Sequence, residues 1–361
     1  MPIIVDAHED LAWNALTFGR DYTRSVLETR QLELGGPAPH HNGTTMLGLP
    51  EFLEGEVAVI FATLFAAPAR RQEAGWDAQV YSDAEDAFRI ANTQLDYYHR
   101  LADVNPQFAL IGGRGDLERV LATWDGPDPA ARQVGMVTLM EGADPIRQPQ
   151  EAEYRMERGV RIVGLAWSGT RYSGGTGEPG PLTPEGRALL DVMSSLGLIL
   201  DVSHASDESC LEALDHYSGT VIASHANPRA LLKGFSRPER MLTDQMIERL
   251  AETGGVIGIV PYNRFLKVGY ENTHPKSSVT IEYMLAMIDH VCQVTGSSAH
   301  VGIGSDFDGG FGVERTPAEF DTVADLQKLS PALKERGYSE QDVAAILGQN
   351  WIRVLRRGLP A

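Results

Sequence analysis

Short apolar runs, separated by segments with helical periodicity, are the feature that most constrains the fold of this chain. The runs are rich in β-branched residues and bounded by glycine or polar residues, which is typical of buried strands. The segment 83–104, with apolar residues spaced among charges, is typical of an amphipathic helix. The apolar runs are 2–7, 57–65, 134–140, 160–166, 196–203, 220–224, 255–260 and 301–304. Eight strands alternating with helices predict an α/β fold, a (β/α)8 TIM barrel with loop insertions.

The length of the chain fits one such barrel. Its 361 residues, 43% of them hydrophobic, are enough for one large core, and no polar linker or low-complexity segment divides them. We therefore expect a single domain over residues 1–361. The segment 17–50 holds several glycines and prolines and is predicted to be an irregular excursion. Within it, His40 and His41 are interpreted as solvated loop residues, because adjacent side chains point apart in regular backbone.

The charge of the chain excludes some classes of function. Lys and Arg number 31 against 49 Asp and Glu, a net charge of −18 at pH 7. Such a surface repels nucleic acid and anionic lipid, so we expect neither as a partner. The longest apolar run, 57–67, is too short to span a bilayer.

Cellular location is predicted from the cysteines and the first residues. Cys210 and Cys292 are the only cysteines, which suits a reducing compartment better than a disulfide framework. The apolar stretch before Asp6 is too short for the hydrophobic region of a signal peptide. A cytoplasmic protein is therefore expected.

Side chains able to bind a metal ion follow several of the predicted strands directly. In a barrel of parallel strands, the residues after each strand meet at the C-terminal rim. Trp167 and Tyr262 hold the equivalent positions after two further strands, and we expect them to bind the substrate. The candidate metal ligands are His8, Asp10, Glu141, His204, His225 and Asp306.

Three imidazoles and three carboxylates at one rim favour a metal site. Buried carboxylates without compensating charge are too costly to form a dry structural cluster. One or two divalent cations would compensate them, and this mixture of ligands suits zinc, manganese or iron. The alternative is that each residue is simply a polar residue at the end of its strand. Six such residues in matching positions make this alternative less favourable than a shared metal site.

The last predicted strand ends in two carboxylates, Asp306 and Asp308. Two residues apart in extended backbone, they are expected to point to the same side of the strand. A solvated turn rich in Asp and Gly is the alternative for this stretch.

These motifs together resemble the membrane (renal) dipeptidase family, peptidase M19-type, of the amidohydrolase superfamily. The similarity covers nearly the whole chain, as far as the segment 348–355. The motifs that carry it are Asp6-Ala-His8-Glu-Asp10, Glu141-Gly-Ala, Asp201-Val-Ser-His204, Ser224-His225 and Gly304-Ser-Asp306-Phe-Asp308-Gly309.

The resemblance implies a barrel with a binuclear zinc site, two Zn²⁺ per chain. It implies that His8 and Asp10 hold one ion, that His204 and His225 hold the other, and that Glu141 bridges them. Hydrolysis of a dipeptide by a metal-bridging hydroxide would follow, because two cations lower the pKa of bound water.

The resemblance also assigns roles outside the metal ligands. Asp306 would handle the proton, and Arg240 would bind the terminal carboxylate of the substrate. Asp308 is expected to be a supporting or turn residue. A solvated loop arginine is the alternative interpretation of Arg240.

The chain departs from the family pattern after the fourth strand. Trp167 stands where the family usually has a histidine that contacts the substrate carbonyl, and indole has neither an acceptor nor a titration near pH 7. The sequence therefore leaves two alternatives to a dipeptidase. These are an amidohydrolase acting on another small carboxylate-bearing amide or lactone, and a metal-binding protein with little turnover. A homodimer is left open as the assembly state.

Overall fold

The central sheet of the protein is a ring of parallel strands. The computed structural model describes residues 2–71 and 75–361. We number the strands of the ring β1 (Ile4–Glu9), β2 (Val57–Phe65), β3 (Val134–Glu141), β4 (Val160–Gly164), β5 (Ile199–Asp201), β6 (Val221–Ile222), β7 (Ile257–Ile259) and β8 (Val301–Ile303).

The order of hydrogen-bonded strands closes the barrel. The sheet runs β6-β5-β4-β3-β2-β1-β8-β7, and every pairing along it is parallel. Ala223, directly after β6, forms a parallel bridge with Ile257 of β7, which joins the two ends of this order. The predicted (β/α)8 barrel is confirmed. Smaller strands lie outside the ring, at Phe108–Leu110, Ala67–Pro68, Val80–Tyr81, Ser173–Gly175 and Glu178–Leu182.

Helices surround the ring, and their ends follow local sequence signals. Asp83 caps the longest helix by accepting a hydrogen bond from the backbone N–H of Asp86 at 2.9 Å. Thr183 caps another in the same way through Gly186, with Pro184 at the first helical position, as the sequence predicts. The helices are Leu11–Phe18, Val26–Leu32, Pro37–His41, Leu49–Glu54, Ala84–Val104, Arg114–Asp125, Ala152–Glu157, Pro184–Leu196, Asp207–His216, Asp244–Glu252, Asn263–Leu266, Ile281–Thr295, Leu329–Glu335, Glu340–Ala344 and Asn350–Gly358.

The prediction of an irregular segment over 17–50 is wrong. The segment contains the helices Val26–Leu32 and Pro37–His41 and the start of Leu49–Glu54. Two of its prolines stand in the first turn of a helix, where the missing N–H costs nothing, so here proline starts a helix rather than breaking one.

Glycine allows a close approach of backbones at the C-terminal end of β8. A Cβ on Gly304 would lie 1.9 Å from the carbonyl oxygen of Ser224, and a Cβ on Gly258 would lie 1.8 Å from the same atom. The ends of β7 and β8 therefore fit against the residue that precedes His225 only because both positions lack a side chain. This contact helps to fix the position of the His225 imidazole at the C-terminal rim of the barrel.

None of the helices in the described part of the chain has both the length and the apolar character needed to cross a membrane.

Candidate metal centre and substrate cleft

The six predicted metal-binding side chains meet at the C-terminal rim of the barrel. Five of them are buried or nearly so, and the most accessible, Asp306, has a side chain only 13% exposed. Each follows or ends a different strand, except His8 and Asp10, which both belong to the end of β1. The convergence that the sequence predicted for these residues is therefore present in the structure.

Glu141 lies at the centre of one half of the cluster. Its Oε1 is 3.2 Å from Nε2 of His204 and 3.3 Å from Nε2 of His225. The two Nε2 atoms are 3.0 Å apart. Its other oxygen, Oε2, is 3.8 Å from Nε2 of His8, so the carboxylate faces both halves of the cluster.

His8 is the centre of the other half. Its Nε2 lies 3.7 Å from Oδ2 of Asp10 and 3.9 Å from Oδ1 of Asp306. The sets His8, Glu141, His225 and His8, Asp10, Asp306 each have ligand atoms within 4.8 Å of one another. Asp306 is thus close enough to join the metal ligands. The division of the ligands between two ions stays a prediction.

The orientation of His225 is set by a chain of hydrogen bonds. Ser224 Oγ donates to Oδ2 of Asp201 at 2.5 Å, so it has a lone pair left for His225 Nδ1 at 2.8 Å. Nδ1 of His225 therefore carries the proton, and the lone pair of Nε2 faces the cluster. Thr176 Oγ1 lies 3.0 Å from Nδ1 of His204, and this hydrogen bond orients the ring so that Nε2 faces the cluster.

The sequence prediction missed the supporting roles of Thr176 and Ser224. Ser224 was visible only as part of the motif before His225. Thr176 lies in the glycine-rich loop after β4, and no local pattern marks it as a neighbour of a residue 28 positions away.

The expectation that Asp306 and Asp308 point to the same side is wrong. Both residues have left-handed backbone, with φ of 57° and 61°, so the alternation of an extended strand does not apply. The carboxylate of Asp308 turns away from the cluster and accepts hydrogen bonds from Thr45 Oγ1 at 2.5 Å and the N–H of Met46 at 2.9 Å. It also pairs with Arg20 at 3.0 Å, entirely buried. The structure thus places Asp308 as a supporting residue of the turn.

Burial and mutual proximity shift the proton affinities of the cluster. Burial alone would lower the pKa of His8, but the carboxylates of Glu141, Asp10 and Asp306 outweigh it and raise the pKa to about 10. Burial raises the pKa of Glu141 to about 8 and that of Asp306 to about 7, in both cases against the opposing effect of His8.

The other two imidazoles are held neutral. Burial lowers the pKa of His204 and His225 well below the usual range, and the nearby cations Arg240 and His8 lower it further. Neutral imidazole is the form that binds a metal ion.

The donor set fits a divalent cation. Both ring nitrogens of His8 and Oδ1 of Asp10 are buried and, within the described residues, lack a hydrogen-bond partner. Such groups are costly unless another ligand satisfies them. Gly309 also leaves the cluster open, since a Cβ there would lie 1.9 Å from Oδ1 of Asp306 and 2.8 Å from Oδ2 of Asp10. Imidazole and carboxylate together suit zinc.

A cleft of about 870 Å³ opens above the cluster and is lined by all three predicted substrate-binding residues. Trp167 is half-buried, with its ring 5.1 Å from that of Phe65 and 6.3 Å from that of His204. It therefore lies beside the metal cluster rather than under the loop that follows it. Tyr262 lines the opposite part of the cleft and stacks on Phe311 at 4.4 Å.

Arg240 is the buried cation of the cleft. It is 3% exposed, and both terminal nitrogens of its guanidinium lack a hydrogen-bond partner within the described residues. The carboxylates of Asp306 and Glu141 lie near enough to stabilise its charge, and the guanidinium lies 5.3 Å over the ring of Phe265. This placement contradicts the alternative of a solvated loop residue. An unsatisfied, buried guanidinium facing a cleft is suited to a carboxylate ligand.

His41 is a further residue of the cleft that the sequence analysis interpreted wrongly. It is half-buried, lines the cleft and stacks on Trp76 at 4.6 Å, and Trp76 stacks on Phe18 at 5.6 Å. His40, in contrast, is exposed. The two side chains do not point apart as expected for adjacent residues, since their rings make an edge contact at 4.7 Å at the end of the helix Pro37–His41.

Curated proteins that are similar to this chain in sequence include two that are described as dipeptidases. A protein of Schizosaccharomyces pombe described as an uncharacterized dipeptidase is 34% identical over 173 residues, which are 48% of this chain and only 39% of that protein. The dipeptidase tcpJ of Claviceps purpurea is 26% identical over 323 residues, or 85% of this chain and 68% of that protein.

The fold is also that of a solved peptidase. A crystal structure of a metallopeptidase from Rhodobacter sphaeroides, liganded with a phosphinate mimic of the dipeptide L-Ala-D-Ala, superposes with a TM-score of 0.78 at 22% identity. The alignment covers 99% of this chain and 100% of that one. The family model described as membrane dipeptidase, peptidase family M19, matches residues 1–358. With its barrel and its cluster of rim ligands, the chain therefore belongs to the membrane dipeptidase family.

Proposed function

We propose that this protein is a zinc-dependent dipeptidase that binds two metal ions and hydrolyses dipeptides with a free terminal carboxylate. Membership of the dipeptidase family supports hydrolysis of dipeptides in general. The observation that carries the finer proposal is the combination of a buried His and carboxylate cluster with an unsatisfied Arg240 in one cleft. The His and carboxylate cluster suits metal ions, and Arg240 suits the carboxylate of a small substrate.

Five residues are proposed to hold the metal ions. His8 and Asp10 would bind one ion, His204 and His225 the other, and Glu141 both. The contacts of Glu141 with all three imidazoles support a bridging role. Zinc bound there would polarise the scissile carbonyl and lower the pKa of the water that attacks it.

Asp306 is proposed to move the proton. Its Oδ1 faces the cluster, 3.9 Å from Nε2 of His8, and its side chain borders the cleft, so the carboxylate lies where it could exchange a proton with an attacking water and a leaving amine. It would accept the proton of the attacking water and deliver it to the leaving amine. Its proximity to His8 is compatible with an additional contact to the metal.

The substrate is proposed to lie between Arg240 and the aromatic residues of the cleft. The guanidinium of Arg240 would pair with the terminal carboxylate, which orients the scissile bond toward the cluster. Trp167, beside His204, and Tyr262 would contact the side chains of the substrate. An indole at this position favours an apolar group by stacking and burial.

Turnover of dipeptides by zinc-loaded protein is the direct test. We expect hydrolysis of members of an L,L- and L,D-dipeptide library, about two zinc ions per chain by elemental analysis, and loss of activity when the metal is chelated. Turnover with a single bound ion would leave a mononuclear hydrolase. Metal binding without hydrolysis of any dipeptide would contradict the proposal.

Trp167 favours one alternative function. Indole cannot supply the imidazole contact that the family pattern implies, so another small carboxylate-bearing amide or lactone remains a second candidate substrate. A lactone and N-acyl amino acid panel, run beside the dipeptides, distinguishes the two.

Cytoplasmic location is part of the proposal and rests on the free state of Cys210 and Cys292. Cell fractionation tests it, and light scattering tests whether the protein is a homodimer.

A further inference from the structure

The cleft carries more positive charge than one terminal carboxylate requires. Although the protein has a net charge of −18, six of the described residues that line the cleft are arginines. Arg70 is paired with Glu178 at 2.8 Å, and Arg240 is assigned above to the terminal carboxylate. The arginines of the lining are Arg70, Arg71, Arg237, Arg240, Arg264 and Arg315.

Arg264 and Arg315 are the two whose placement indicates a shared ligand. The side-chain amide of Asn263 donates a hydrogen bond of 3.0 Å to the backbone oxygen of Thr316, so the two chain segments that carry Arg264 and Arg315 are in contact. Both arginines are half-buried and line the cleft. Within residues 2–71 and 75–361, neither guanidinium has a hydrogen bond or an ion pair.

Nearby carboxylates are engaged elsewhere. Glu314, beside Arg315 in sequence, accepts hydrogen bonds from the hydroxyl and the N–H of Thr44. Among the acidic residues of the lining that the structure describes, Asp10, Glu141 and Asp306 belong to the metal cluster. The fourth, Asp77, accepts a hydrogen bond from the indole N–H of Trp13. Two half-buried cations on contacting segments of one cleft, without an ion pair among the described residues, favour an anionic ligand.

The pair lies on the same wall of the cleft as Arg240. The guanidinium of Arg240 lies over Phe265, the residue that follows Arg264. Tyr262 stacks on Phe311, which connects this short helix, Asn263–Leu266, to the loop that leads to Arg315. If Arg240 binds the terminal carboxylate of a substrate, the pair lies on the side of the cleft where we expect the side chain of that terminal residue.

We propose that Arg264 and Arg315 form a second anion-binding subsite that selects dipeptides with an acidic residue, Asp or Glu, at the C-terminal position. This inference rests on the proposed dipeptidase function and specifies the substrate class of that site. The α-carboxylate would bind Arg240 and the side-chain carboxylate would bind the pair, so the substrate is held at two points. A neutral isostere would gain only the first contact and would leave the pair without a counter-charge.

The preference for charge is tested with substrates that differ only in charge. Zinc-loaded protein is assayed with Ala-Glu and Ala-Gln, each with the second residue in the L and the D configuration. We expect kcat/KM for the acidic member of the productive pair to exceed that of its amide by roughly tenfold or more, as for a partly buried ion pair. Raising the salt concentration should reduce this ratio.

Variants assign the preference to the two arginines. Arg264→Gln and Arg315→Gln should each reduce the Glu/Gln ratio several-fold, and the double variant should bring it near one. Arg100→Gln removes the same charge from an exposed position outside the cleft and should leave the ratio unchanged. Calorimetric titration with free glutamate and glutamine gives a second readout that does not depend on turnover.

The outcomes separate this inference from the function on which it rests. If no dipeptide is hydrolysed, the proposed function fails. If dipeptides are hydrolysed but Ala-Gln is used as well as Ala-Glu, or the variants leave the ratio unchanged, the second subsite is refuted. A preference for Glu-Ala over Gln-Ala that depends on the same arginines would overturn its assignment to the C-terminal residue.

Discussion

At the scale of single residues, the environment decides what chemically identical groups do. Asp306 and Asp308 are two positions apart, yet one faces a cluster of metal-binding groups and the other is buried against Arg20 and Thr45. Their backbones are both left-handed, so the difference comes from the turn that carries them rather than from strand alternation.

This difference predicts opposite effects for two matched substitutions. Asp306→Asn should lower kcat by ~10²–10⁴ because the proton carrier is lost. Asp308→Asn should instead lower the free energy of unfolding by about 1–3 kcal/mol, because it removes one of the two carboxylates that pair with the buried Arg20 and leaves only Glu33. Steady-state kinetics and urea unfolding of both variants measure the two effects, and the reverse ranking would show that the wrong carboxylate has been assigned.

Arg240 gives a second prediction at this scale. Arg240→Ala should reduce kcat/KM for free dipeptides by the equivalent of about 2–5 kcal/mol, since a buried charged hydrogen-bond partner is removed. Dipeptides amidated at the C-terminus lack the partner carboxylate and should lose little. Equal losses on both substrates would place Arg240 outside the substrate site.

Trp167 gives a third prediction at the scale of single residues. Because its ring lines the cleft and is half-buried, Trp167→Ala should change substrate preference and lower the melting temperature only modestly. A loss of ~3–5 kcal/mol in the free energy of unfolding, with unchanged kinetics, would identify a core residue instead.

At the scale of elements, the rim is built from strand ends that pack without side chains between them. Gly304 and Gly258 lie against the carbonyl of Ser224, the residue before His225. The position of the His225 imidazole, a candidate metal ligand, thus depends on the packing of β7 and β8 against the end of β6.

Gly304→Ala should therefore damage both stability and metal binding. Its Cβ would lie 1.9 Å from the Ser224 oxygen, so the backbone must shift, at a cost of roughly 1–3 kcal/mol. Gly115→Ala is the matched control, because a Cβ there contacts nothing within 4 Å and the residue lies in the helix Arg114–Asp125. That variant should be stabilised by about 0.5–1 kcal/mol. Unfolding curves and zinc content compare them, and equal behaviour would contradict the packing argument.

At the scale of the whole molecule, folding buries carboxylates and imidazoles close together, so each group changes the pKa of the others. The side chain of a free histidine has a pKa of about 6.5, so it would be neutral at pH 8. His8 has its pKa raised to about 10, so at pH 8 the metal-free protein still carries that proton.

Zinc binding should therefore release at least one proton per chain at pH 8, and zinc affinity should rise with pH through the neutral range. Calorimetric titration in buffers of different ionisation enthalpy counts the released protons. His8→Gln should reduce both the release and the affinity. No release from the wild-type protein would show that His8 is already neutral.

The barrel is predictable from the sequence, because the alternation of apolar runs and amphipathic segments is a local property that each strand and helix displays alone. The sequence also predicts which residues stand at strand ends, and hence that His8, Glu141 and His225 would meet at one rim. The domain span 1–361 stays a prediction.

The contacts between these groups follow from the folded structure alone. Glu141 faces three imidazoles, Asp308 turns inward, His41 lines the cleft, and the segments that carry Arg264 and Arg315 are in contact. These contacts join residues from different strand-end loops, so they depend on loop paths and backbone turns rather than on periodicity. A residue with left-handed backbone, or a proline that starts a helix, changes the direction of the side chains in such a loop. The local pattern of apolar and polar residues does not predict that change.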